Sequence, residues 1–319
     1  AIIPKSIALP YGYLEPFSMA VKDYRLYIKL RREKTNIKDS TIKKSGNIKI
    51  AANMDNDANE DNHKYKYRYD SMTNTTGSVS FAAEGAALAT NVIYTNYSNT
   101  VKTYIENTSS DSTGNITLNS NSERRLDNTN IGIGAAAIGA SVAVNAISTT
   151  IDTETSSYID VKSKTMDNVG AINAHSRDNS DIKNIMGTIQ VAGLGAAAGV
   201  GLDMTWNSAL TKSEILSNSD GQINASSAKL ESENILEYGK TNVGVSLGAV
   251  GLAGDYVLIK SGKRTGTYSQ SEKDSKIDTA IGYIDSKYTP TTTPADTETG
   301  AISNINGNLK TTGNIAINA

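Results

Sequence analysis

Four stretches of this chain share one pattern of small, apolar and polar positions. They are FAAEGAALATNVIY (81–94), IGIGAAAIGASVAVNAI (131–147), VAGLGAAAGVGLDMTW (191–206) and VGVSLGAVGLAGDYVLI (243–259). Each is rich in Gly and Ala and reaches an Asn or Asp near its end. Those residues are Asn91, Asn145, Asp203 and Asp255, at intervals of 54, 58 and 52 residues. Recurrence at a near-fixed period is the signature of a repeat architecture.

Within each stretch the large apolar residues alternate, change phase once, and alternate again. Ile131 and Ile133 are odd-numbered, whereas Ile138, Ala140, Val142, Val144 and Ala146 are even. Val79 and Phe81 give way to Leu88 and Val92, Ile189 and Val191 to Leu194, Val200 and Leu202, and Val245 and Leu247 to Val250 and Leu252. Alternation is the period of a strand. A single slip at a Gly/Ala site marks a bulge or a β-arc corner, here expected near residues 135–137. A helix of the same composition has no reason to repeat that slip. HKYKYRYD (63–70) alternates as well, with Tyr65, Tyr67 and Tyr69 on one face.

Two further landmarks keep the beat. Gly-x-Ile recurs in GNIKI (46), GNITL (114), GAINA (170), GQINA (221) and GNIAI (313). A tail follows in YIE (104), YID (158), EIL (214) and YID (283), with YIK (27–29) as an earlier copy. The pattern predicts an all-β chain, a parallel β-solenoid. Right-handed winding is the default of parallel crossovers. Two or three rungs would fill each repeat, with Ile, Val, Leu and Ala stacked inside along the axis. An antiparallel β-sandwich array is the competing fold.

The domain reading follows from these landmarks. Residues 1–44 end a preceding repeat or form a cap. Repeats run over about 45–112, 113–168, 169–220 and 221–312, and another starts at 313–319, as in a piece cut from a longer fibre. Excess length collects in polar segments at 54–64, 261–276 and 289–299, where loops of a solenoid are expected.

Composition narrows the function. Among 319 residues there is no Cys, and the formal net charge is −2, so thiol chemistry is excluded and nucleic acid is not the expected partner. His63 and His175 stand in unrelated contexts. DNDANED (55–61) begins like a calcium loop but has Glu60 where Gly is needed and Lys66 where Glu is needed. IGIGAAAIG lacks the strand–turn–helix setting of a phosphate loop. No metal, cofactor or enzyme chemistry is therefore expected. Asn91, Asn145, Asp203 and Asp255 read first as turn residues, with a stacked side-chain ladder as the alternative.

These Gly/Ala strands, followed by Thr/Ser-rich stretches, YID and Gly-x-Ile, resemble repeats of the very large filamentous leukotoxin/adhesin exoproteins of Gram-negative bacteria. The resemblance covers about residues 45–319 and departs at the Tyr-rich stretch 11–27 and the insertions in 261–299. It implies a type V secreted, autotransporter-like passenger: an extracellular virulence fibre at the bacterial outer-membrane surface. Such a fibre mediates cell adhesion to host cells or other bacteria through a surface protein or glycan. Contacts are expected on the insertion, at Lys263, Arg264, Tyr268 and Lys273. The alternative is part of a leukotoxin-type membrane-active toxin. Seventeen residues is at the short limit for a helical span, and a phase slip midway spoils a lipid-facing strand, so no membrane insertion is expected. A monomeric rod is the expected form.

Overall fold

In the computed structural model the chain is a parallel β-solenoid, described for residues 19–53, 70–261 and 300–319. Among the described residues every pairing between strands is parallel, which excludes the antiparallel sandwich. The main strands are Met19–Lys38, Asp70–Glu106, Ile116–Asp160, Thr165–Asn207, Gln222–Leu247 and Val250–Ser261.

Each repeat makes one coil. Asp70–Glu106 pairs with Ile116–Asp160 at an interval of 54 residues, and Ile116–Asp160 pairs with Thr165–Asn207 at 56. The expectation of two or three rungs per repeat is corrected. Each arm stays in register with the next coil along its whole length, so the strands run far past the usual five or six residues.

One coil is a long flattened arch. Residues 116–136 run outward, the chain reverses, and 140–160 return over them. Cross-layer hydrogen bonds fix the arms face to face: Asn130 Nδ2 donates to Ala146 O at 3.0 Å, Asn128 Nδ2 to Thr149 Oγ1 at 3.2 Å, and Ser157 Oγ to Ser120 Oγ at 3.1 Å. Inward positions are therefore even on the outgoing arm and odd on the returning arm.

The reversal lies at 137–139, about two residues beyond the expected corner. Ala83, Ala137 and Gly193 drop out of the strand register there. Gly85, Gly139 and Gly195 then stack as register partners, with φ of 95°, 118° and 149°. A Cβ on Gly139 would stand 1.9 Å from Gly85 O, and one on Gly195 would stand 1.7 Å from Gly139 O. The column demands glycine both for its backbone angle and for its spacing.

The interior changes character along the arch. At the base, Ile105, Ile116, Leu118, Ile159, Ile172, Ile215 and Leu230 form an aliphatic core closed by Val161, Met166 and Val169. Farther out, Leu126, Ile151, Ile182, Tyr97 and Val101 form a second cluster. Polar side chains fill the middle. Near the corner the interior is mostly Gly, Ala and Ser, with Thr188 and Gln190 as larger exceptions, because the sheets converge. A Cβ on Gly134 would lie 2.8 Å from Ser141 Oγ and 2.4 Å from Gln190 Oε1.

The large aliphatic residues around the corner consequently point outward, the reverse of the expected packing, whereas farther down the returning arm Ile93 and Ile147 face inward and Val92, Val144 and Leu202 are buried on the outer face. Phe81, Ile131, Ile138, Val191 and Leu194 are exposed, whereas Ser141, Ala143 and Asn145 are buried between the arms. Apolar alternation was read as inward because burial usually follows side-chain size. Here inter-sheet distance decides instead.

Two landmarks shift register. Gly46, Gly114 and Gly170 start corresponding arms, and Asn47 and Asn115 Oδ1 accept from the backbone NH of Asn115 and Ala171, each at 2.9 Å. Gly221 does not join them, since Gln222 pairs with Thr165 and Ala225 with Val169. Ile37, Ile105, Ile159, Ile215 and Ile305 form the tail column, which replaces YIK at 27–29 as the earlier copy. YID at 283 lies outside the described residues. The interval between coil partners grows from 54 at Asn207–Ser261 to 90 at Leu210–Gly300, which places the large insertion at 262–299. It falls from 68 at Asn53–Asn121 to 54 at Asp70–Arg124, which places the smaller one at 54–69.

Candidate functional site

The recurring Asn and Asp residues lie inside the arch and at mid-strand. Asn91 Nδ2 donates to Asn145 Oδ1 and to Ile131 O, both at 2.9 Å, and Asn145 Nδ2 donates to Gly187 O at 2.6 Å. They form a ladder between coils, not a turn. Turn positions are taken by Asp39 and Asn107 at the base, with φ of 50° and 47°. The ladder column continues through Gly201 to Asp255, so Asp203 is displaced from it by two residues.

Asp203 belongs to a second ladder that the spacing did not reveal. Asn74 Nδ2 donates to Asn128 Oδ1 at 2.7 Å, and Asn128 Nδ2 to Asn184 Oδ1 at 2.8 Å. Asn184 Nδ2 then reaches the Asp203 carboxylate at 2.9 and 3.0 Å, and the Tyr238 hydroxyl donates to the same group. Amide side chains suit such columns because each can donate to one coil and accept from another.

Burial pushes the Asp203 carboxyl above its ordinary range, against the opposing effect of its hydrogen bonds from Tyr238 and Asn184. A folded-state pKa above the unfolded one means that the folded chain holds the proton more tightly. The stability this confers is present at low pH and is lost as pH rises through the raised value. Asp203→Asn removes that titration. The melting temperature of the variant, relative to the parent, is expected to climb between acidic and neutral pH in parallel scans. A pH-independent difference would contradict the assignment.

Outside the arch, the returning sheet carries a shallow cleft of about 290 Å³ near the base. It is lined by Lys102, Glu106, Glu154, Tyr158, Lys212 and Glu214 among others. The rings of Tyr104 and Tyr158 stack along the fibre with centroids 5.0 Å apart and planes 2° from parallel. Lys102 Nζ meets Glu154 Oε1 at 2.5 Å, and Lys162 pairs with Asp160. Burial and nearby carboxylates push the Tyr158 phenol well above its ordinary value, so it remains a donor. The cleft offers charges of both signs, with carboxylates in slight excess, and many hydrogen-bonding groups beside an aromatic edge.

The second surface feature is the ridge where the arms reverse. Leu194 is 70% exposed, Phe81 60% and Ile138 51%. Its outgoing flank shows Val79, Ile131, Ile189 and Val191, and its returning flank Val200 and Leu252. The signal for this surface was present in the sequence as the alternation itself, read with the opposite facing.

Lys263, Arg264, Tyr268 and Lys273 lie outside the described residues, as do His63 and the acidic stretch 55–61. His175 is half-exposed and sits 3.2 Å from Asn119 Oδ1 through Nδ1. Among the described residues no group of three or more His, Cys, Asp or Glu side chains is placed to hold a metal. Comparison with protein-family models, with curated proteins and with solved structures finds no match.

Proposed function

We propose that the chain is a shaft segment of an extracellular bacterial adhesin, a non-enzymatic fibre held at the outer surface of the cell. The observation that carries this reading is the coil-to-coil register, maintained along long arms from Asp70 to Asn207 and continued into the following coils. Such a stack gains length by adding coils, each bonded only to its neighbours. The resemblance of the repeats to filamentous leukotoxin/adhesin exoproteins points the same way. The partner is a surface protein or glycan of a host cell or another bacterium. The cleft beside Tyr158 supports a hydroxyl-rich ligand, since it carries charges of both signs and its groups both donate and accept.

Beads coated with the chain are expected to adhere to cultured epithelial cells or to other bacteria. Free chain should compete, and Tyr158→Ala with Lys102→Ala should weaken adherence. Coated beads that bind no better than bare ones, under the same wash, would remove the adhesive reading.

A further inference from the structure

The ridge carries an inference independent of adhesion. Soluble proteins seldom expose contiguous apolar surface beyond a few hundred Å², and larger patches mark contact sites. Register brings the exposed residues of successive coils side by side. Val79, Ile133, Ile189 and Val245 form one column, and Phe81, Ala135, Val191 and Leu247 the next. Ile138 and Leu194 are neighbours on the crest. Val250–Ser261 has a described neighbour on one side only, and the continuous apolar face is formed by the coils before it.

Three properties select the occupant. First, the stretches 131–147, 187–202 and 243–254 contain no charged residue, and among the described residues Glu84 is the one charge on the outgoing flank and crest, beside Ile138. Second, the exposed apolar surface covers the outgoing flank and the crest, whereas on the returning flank Val200 is exposed but Val92, Val144 and Leu202 are buried. With coils ~4.8 Å apart and ~3.3 Å per residue, the outgoing flank presents roughly 400 Å². A stable dimer needs about 800 Å² from each partner. A second copy laid against that flank falls short and leaves the crest in water. A medium that receives the crest covers both. Third, the backbone is bonded from coil to coil on both sides of the crest, where Ala83, Ala137 and Gly193 alone leave the register, and the interior is filled by Gly, Ala and Ser with Thr188 and Gln190. Entry into an apolar medium therefore leaves few backbone groups unsatisfied, the chief requirement for strands in lipid. The phase slip does not spoil a lipid face, because it coincides with the reversal and leaves the aliphatic residues outward on the outgoing flank and at the crest.

We infer that this ridge is a lipid-docking edge, by which the solenoid lies along a bilayer with its crest in the hydrocarbon boundary. The apolar band of the outgoing flank, about seven residues or ~23 Å at strand rise, is deep enough to pass the headgroups.

The 319-residue chain should co-sediment with large phosphatidylcholine vesicles, with and without added phosphatidylglycerol, since apolar contact dominates. Ile138→Asp with Leu194→Asp is expected to reduce partitioning at least about tenfold, because two charges enter the buried edge. Both sites are exposed, and unchanged circular dichroism verifies the fold. Glu84→Gln is expected to strengthen partitioning, with unchanged circular dichroism excluding misfolding as the source of the gain. The inference is overturned if the chain fails to sediment with either vesicle, or if the double Asp variant partitions like the parent. It is also overturned if partitioning occurs only with phosphatidylglycerol, which indicates a charge-driven contact. Concentration-dependent dimerisation without vesicle binding overturns it in favour of a second copy.

Discussion

Replacing Gly139 by alanine is expected to destabilise the solenoid by roughly 3–5 kcal/mol, near the upper end for single substitutions. Two effects act together. The residue holds φ at +118°, which an L side chain adopts at a cost of about 1–3 kcal/mol. Its Cβ would also fall 1.9 Å from Gly85 O, inside any tolerable contact, and the clashing atom is backbone that cannot swing away. Relief requires the two coils to separate at the corner, with loss of the bonds between them. Gly195→Ala meets the same geometry one coil on, at 1.7 Å from Gly139 O. Gly254→Ala is the control, since nothing lies within 4 Å of its added Cβ and its φ is ordinary. Urea unfolding should show a large loss of midpoint for Gly139→Ala and Gly195→Ala and little change for Gly254→Ala. Equal midpoints for all three would contradict the stacked glycine column.

Removing one partner of the buried Arg124–Asp178 pair is the second large expected effect. Both side chains are fully buried and lie on adjacent coils. Arg124 Nη1 donates to Ser180 Oγ at 2.6 Å, its guanidinium lies 5.1 Å from the Tyr97 ring centroid, and Asp178 Oδ2 accepts from Thr153 and Thr155 at 3.1 and 3.2 Å. Asp178→Ala leaves a cation in the lumen without its counter-charge, at an expected cost of about 3–5 kcal/mol. Replacing both by apolar residues, Arg124→Met with Asp178→Leu, should recover much of that loss, because neither charge then has to be desolvated. The double-mutant cycle, read by urea midpoints, distinguishes a coupled pair from two independent sites. Additive losses would show that the two residues do not act as a unit.

These two sites also show what the sequence made legible. Strand identity, parallel stacking and the repeat period follow from alternation and from the recurrence of the Gly/Ala stretches. Gly139 itself lies beside the expected corner. The facing of the strands was hidden, because alternation defines two faces without saying which is inside. Ile131 looked like core and Gly132 like filler, and the close approach of the arms reverses them. Register was hidden wherever a motif recurred out of step, as at Gly221 and Asp203, since similarity by eye tolerates shifts that hydrogen-bonded columns do not. The pair of Arg124 and Asp178 carried no local signal at all. Only the 56-residue register, which pairs Arg124 with Ser180 and sets Asp178 two residues away on the same face, brings them together. The lipid-docking edge follows from the same reversal, and the cleft by Tyr158 follows from stacking of tyrosines one coil apart.

The most direct test of one coil per repeat uses the absence of cysteine from the chain. Val79 and Ile133 are register partners on the outer face. Adjacent parallel strands bring such residues to ~4.8 Å, within the reach of a disulfide. Mild oxidation of Val79→Cys with Ile133→Cys should cross-link within one chain, as read by gel mobility and mass. Val79→Cys with Ile131→Cys, on the same face but two residues out of step, should cross-link poorly, because its separation of roughly 8 Å exceeds disulfide geometry. Failure of the in-register pair to close, or equal closure of both pairs, would contradict the coil assignment.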